Sequence, residues 1–163
     1  MYQMSHCFLT KKAEVNDEFQ AKRAILMAQD CFPSHPEQYA SFLYADCGRD
    51  TLYQWEAKMY LDLAQHGQGH DYYQNAWNTL EQSIKIHAIS DRCMIETVIY
   101  QTSAALGLHD LEMYVSHLKE EASTALQIGS QRRYQEAFEL YRQAPKNWKQ
   151  GPKIRDLAAL FNR

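Results

Sequence analysis

Three glutamates set the rhythm of this sequence. Glu56, Glu96 and Glu136 stand 40 residues apart. Four residues after each comes Tyr60, Tyr100 or Leu140, and four further on comes Ala64, Ala104 or Ala144. On a helix, positions spaced by four share one face. A carboxylate beside a phenol on such a face can accept hydrogen bonds and attract basic side chains. With their neighbours these residues outline a candidate partner-binding groove: Tyr53, Glu56, Tyr60, Arg92, Glu96, Tyr100 and Ser103. An aromatic and acidic surface of this kind suits a peptide with apolar and basic side chains. The same tyrosines are what packing between helices requires, so both roles stay open. The repeated glutamate is odd for a core position. It is expected at a boundary between helix pairs, accepting from an Arg, a Tyr or a backbone donor.

Other reactive groups are less organised. His66 and His70 have the spacing of two metal ligands on a helix, and Asp71 follows them. Gly67 and Gly69 lie in this stretch and break the helical geometry, so the pair reads as solvated loop histidines. Cys31 with His35, or Cys93 alone, could supply a nucleophile, but nothing fixes an orienting group or an oxyanion site. A lone helical cysteine is more often a small buried thiol. Arg132-Arg133-Tyr134 could clamp a carboxylate or phosphate, although pairing of the arginines with Glu136 is the plainer account. No catalytic residue, metal ligand or cofactor is therefore assigned, and the chain reads as non-enzymatic.

Composition narrows the partners. The net charge of −3 leaves no basic excess to meet a run of phosphates, which argues against direct nucleic-acid binding. The 4 cysteines form no CxxC pair, a pattern that fits reduced thiols in a cytoplasm. No apolar run reaches the ~18 residues of a membrane span. The amino terminus has its charges after its apolar residues, the wrong order for a secretory signal.

The elements that must position these groups are helices. Only 4 prolines and 6 glycines punctuate 163 residues, and the apolar pattern has a helical period. Residues 1–12 lack it and read as a tail; residues 13–163 form one repeat domain. The spacing predicts helices over 13–30, 37–46, 50–65, 70–87, 90–105, 111–128, 131–143 and 153–161. Asp110 and Ser130 are expected to cap two of them, Asp50 or Thr51 a third. Gly48, Gly107 and Gly129 are expected to mark helix ends, and residues 144–147 to break the chain before Trp148. Inward faces are predicted for Val15, Phe19, Ile25 and Leu26; for Tyr73, Ala76, Trp77, Leu80, Ile84 and His87; for Leu111, Tyr114, Val115, Leu118, Ala122, Ala125 and Leu126; and for Ile154, Leu157, Leu160 and Phe161. A 40-residue self-similarity built from helix pairs predicts an all-α, right-handed superhelical array of about four antiparallel hairpins. Ala64, Ala104 and Ala144 are expected to let the two helices of a pair approach closely.

The helix pairs, the small residues, Tyr60, Tyr100 and the Leu106-Gly107 close resemble the tetratricopeptide (TPR) repeat family, with a period longer than its usual length of about 34. More closely, LYQWEAKMYLDL, AALGLHDLE, ALQIGSQRRYQEAFELY and PKIRDLAALF look like the C-terminal TPR-like region of bacterial helix-turn-helix transcriptional regulators. The likeness covers about residues 15–163. It implies a region that senses a ligand or a protein or peptide partner and mediates self-association. No segment before Ala13 is long enough for a DNA-binding domain, so this chain is expected to act without one. The alternative role is a structural homo-oligomerisation domain, a homodimer burying Trp148 and the last helix against a second copy.

Overall fold

Two turns of the same design organise the centre of the chain. In the first, the Asp110 amide donates to the Ala105 carbonyl (3.0 Å) and the His109 amide to that of Leu106 (3.2 Å). In the second, 20 residues on, Ser130 reaches Ala125 (2.9 Å) and Gly129 reaches Leu126 (3.2 Å). Each is a Schellman close with a left-handed residue, His109 at φ 58° and Gly129 at φ 67°. Each then starts the next helix: the Asp110 carboxylate accepts from the Met113 amide (3.0 Å), and the Ser130 hydroxyl from that of Arg133 (3.4 Å).

The computed structural model describes residues 17–33, 48–67, 69–85 and 91–161, and the side chains of residues 91–93 are not described. The tail, Val15, His35, the helix expected over 37–46, His87, and the side chains of Arg92 and Cys93 lie outside the described residues. Among the described residues the protein is all-α, as expected, with eight helices and no strand. They are α1 Glu18–Asp30, α2 Arg49–Gln65, α3 Asp71–Ile84, α4 Asp91–Gly107, α5 Leu111–Gln127, α6 Gln131–Gln143, the single turn α7 Lys146–Lys149, and α8 Pro152–Phe161. None is long and apolar enough to cross a membrane.

Boundaries depart from expectation in several places: α1, expected from residue 13, starts behind its N-cap Asp17, and α4, expected to stop at 105, runs to Gly107. Gly48 precedes α2 as its N-cap, in extended backbone, so Asp50 lies inside the first turn, where a carboxylate complements the helix dipole. The break at 144–147 turns back into helix as α7, because Pro145 has no amide to satisfy and can start a helix as readily as end one.

Short turns make consecutive helices antiparallel neighbours. α2 packs on α3, α4 on α5, and α5 on α6 and α8. α4 also touches both helices of the preceding pair, α2 and α3, and α6 likewise touches α4 and α5. Among the described residues three apolar clusters follow one another along the chain. Ala21, Ile25, Met59 and Leu63 join α1 to α2. Ala57, Leu61, Ala76, Leu80 and Ala104 join α2, α3 and α4. The largest is built on α4, α5, α6 and α8 around Tyr114, Leu118, Leu140 and Ile154. The small-residue expectation is met in burial but corrected in place. Ala64, Ala104 and Ala144 are buried, yet Ala104 packs against the pair before its own.

Several residues predicted inward are exposed: Phe19, Leu26, Ile84 and Leu126. Their helical spacing is right, but none of the described helices covers that part of the face.

Candidate functional site

The repeated tyrosines are mortar between clusters. Tyr60 packs against both the first and the second cluster, and Tyr100 against both the second and the third. Tyr60 stacks on Tyr72, ring centroids 6.1 Å apart. Burial and then Glu96 push the Tyr100 hydroxyl up to about 12.

Of the repeated glutamates, Glu56 and Glu96 bond across to other helices, and the three accept from the arginine and tyrosine donors expected and also from a glutamine amide, which was not. Glu56 accepts from Gln29 Nε2 of α1 (2.9 Å) and from the Tyr60 hydroxyl (3.4 Å). Burial raises its carboxyl above the ordinary range. Glu96 of α4 and Glu136 of α6 share one guanidinium. Arg133 donates through Nη2 to Glu96 and through Nη1 to Glu136 (2.8 Å). Arg132 adds a second, exposed donor to Glu136 (3.0 Å). The double arginine is thus committed within the chain.

Beneath this group lies Glu121 of α5, which the sequence reading passed over. Its side chain is only 1% exposed, and neither carboxylate oxygen has a hydrogen-bond partner. The Thr102 hydroxyl beside it donates to the Val98 carbonyl instead (2.9 Å). Burial, reinforced by Glu136, pushes the Glu121 carboxyl up to about 8, against weaker opposition from Thr102 and Arg133.

An open concavity lies elsewhere, where α2, α4 and α6 end together. A cleft of about 430 Å³ is walled by Gln65, Ser103, Leu106, Leu140 and Gln143 of these helices, by Tyr73 of α3, and by His109 and Pro145 of the turns. Gly107 shapes it. The Tyr73 ring lies where a Cβ on Gly107 would stand, so only glycine lets that ring close against the end of α4. Of the predicted groove residues, Ser103 lines this cleft, its hydroxyl donating to the Ile99 carbonyl (3.1 Å). Tyr53 is half-buried; Glu56, Tyr60, Glu96 and Tyr100 face intramolecular partners. His66 and His70 come into no cluster that could hold a metal, and no such cluster occurs among the described residues.

The surface expected to meet a second copy is largely occupied. Trp148 packs on Tyr114 (5.4 Å between rings), and Phe161 on Tyr141 (4.9 Å) and Phe138 (5.7 Å).

No family model matches this sequence, and no curated protein or solved structure is significantly similar to it.

Proposed function

We propose that this chain is a non-enzymatic, cytoplasmic, TPR-like binding module. In this reading its hairpins form a right-handed superhelix and it engages a protein or peptide partner, as the sensory or interaction part of a bacterial regulatory system. One observation carries the reading: a single cleft is walled by all three of α2, α4 and α6, the first helices of successive pairs. Stacked pairs present their first helices on one face, which is where repeat arrays expose an extended binding surface. The packing of α4 and of α6 against both helices of the pair before them supports the same arrangement.

The test is a surface-bound library of short random peptides. The wild-type protein should retain a subset of them. Ser103→Trp, which fills the cleft from the middle of its α4 wall, should lose that subset by about tenfold or more, a loss of about 1.4 kcal/mol or more. Its helical circular dichroism should be unchanged. Equal retention by both proteins, or none by either, removes the reading.

A second reading, homo-oligomerisation, is favoured by α1. Phe19, Leu26 and Met27 are 71%, 58% and 57% exposed, and their spacing places them on one face. Light scattering over a concentration series should give a doubled mass if that face pairs, and a constant monomer mass if it does not.

A further inference from the structure

The two central turns differ in one residue that matters. Gly129 occupies the left-handed position of the second at no steric cost. In the first that position is held by His109, whose Cβ is strained there. Nothing in the turn's hydrogen bonds requires the imidazole, because both turns make the same pair. Strain retained where a sibling turn avoids it points to a use for the side chain.

That side chain is held, and it lies in the cleft wall. Its ring meets Trp148 edge to face, 6.3 Å between centroids at 87°. Trp148 leans on Tyr114, which is fully buried and donates its hydroxyl to the Leu140 carbonyl (2.8 Å). Leu140 is itself a wall of the cleft. A chain of contacts thus runs from the core to the imidazole and fixes its place.

The rest of the wall defines what fits. Besides the imidazole, the polar groups are the amides of Gln65 and Gln143 and the hydroxyls of Ser103 and Tyr73, with no carboxylate, lysine or arginine among the lining residues. Leu106, Leu140 and Pro145 supply an apolar side. Three helices end here, and their last carbonyls are largely paired within the chain, those of Ala105 and Leu106 with the turn amides, that of Leu140 with Tyr114 and that of Arg142 with Lys149. A carboxylate would lose its hydration and meet no lysine or arginine among the lining residues. An amide N–H donor could reach the side-chain carbonyls of Gln65 and Gln143.

We propose that this cleft binds an internal main-chain segment of a polypeptide carrying an apolar side chain, and not a carboxylate terminus, with His109 as the hydrogen-bonding contact held in place by Trp148. The proposal names the ligand class of the binding module argued above and rests on that reading.

The experiment is a titration of the ¹⁵N-labelled full chain with N-acetyl-leucine N-methylamide, followed by amide chemical shifts, beside N-acetyl-leucine with its free carboxylate. The capped amide should shift the signals of Ser103, His109 and Gln143, and the carboxylate should bind about tenfold more weakly or worse. His109→Gly should raise the thermal midpoint by relieving strain while weakening the capped amide about fivefold. His109→Asn tolerates the left-handed backbone, so it should weaken the probe with little change in midpoint. Equal affinity of either variant for the probe, or tighter binding of the carboxylate, overturns the proposal. If library peptides bind but neither compete with the probe nor depend on His109, the ligand class is wrong while the wider binding reading stands. If nothing binds at all, both fall.

Discussion

Glu121→Gln should raise the stability of this protein, by an amount that grows with pH. In the folded chain the carboxyl is 1% exposed, without a hydrogen-bond partner, and held up to about 8 by its burial. The groups facing it are Thr102 on α4 and Arg133 and Glu136 on α6, with Tyr114 on its own helix. In the unfolded chain it titrates near its ordinary value of 4.5. Between these values the folded state holds a proton that the unfolded state has released, so stability falls as pH rises. The contribution of the protonated acid is intact below pH 4.5, erodes through the neutral range and is gone above pH 8. At about 1.4 kcal/mol per pH unit, the difference from a permanently neutral residue is on the order of 3 kcal/mol at pH 7. Glutamine has nearly the same shape and, like the protonated acid, carries its own unmade hydrogen bonds, so the comparison reports ionisation. Urea unfolding of both proteins at pH 5, 7 and 9 reads it. The curves should nearly coincide at the lowest pH and separate upward. Parallel curves would mean that Glu121 ionises freely in the folded protein, with water at its oxygens.

Arg133→Met should destabilise the protein, for the opposite reason. The guanidinium is the shared partner of Glu96 and Glu136, ties α4 to α6, and is 16% exposed. Methionine keeps much of the stem and removes the charge. Two carboxylates, 24% and 32% exposed, then face each other without their common donor. Breaking a fully buried pair costs about 3–5 kcal/mol; partial exposure of all three groups reduces this to about 2 kcal/mol. In a chain of this size the thermal midpoint should drop by about 4–8 °C. Adding Glu96→Gln and Glu136→Gln should restore most of the loss, because no uncompensated charge remains. Failure of the double neutralisation to rescue would show that the arginine acts through packing of its stem. Arg133→Lys should recover only part, since an ammonium cannot present two fixed N–H groups to two carboxylates at once.

Much of this arrangement was legible in the chain. Asp110 and Ser130 announced their helices because a short acceptor before an apolar period has one obvious use, the free amides of a first turn. The 40-residue recurrence of Glu, Tyr and Ala marked equivalent sites, and Tyr60 and Tyr100 do occupy equivalent joints between clusters. Periodicity says which residues share a face but not how far the neighbouring helix extends, and that is why Leu126 and Ile84, at helix ends, emerge exposed. Glu121 was hidden by its type. It falls on the stripe of Tyr114, Leu118 and Ala125, and a carboxylate on an inward stripe is easily set aside when an inner face is written down. His109 was readable in principle. Aligning Leu106–Asp110 with Leu126–Ser130 sets His109 against Gly129, and a histidine where its twin needs glycine is visible without coordinates. The cleft was not readable, because it depends on where three helices stop relative to one another.

The unequal apolar clusters have a consequence for how the folded state opens. Among the described residues, four buried ones join α1 to α2, whereas eleven knit α4, α5, α6 and α8. In a linear array each unit is stabilised only by its neighbours, so the thinnest joint sets the local cost of detachment. In a hydrogen-exchange experiment the amides of α1 should therefore exchange first, through opening of that joint alone, and those of α4 and α5 last.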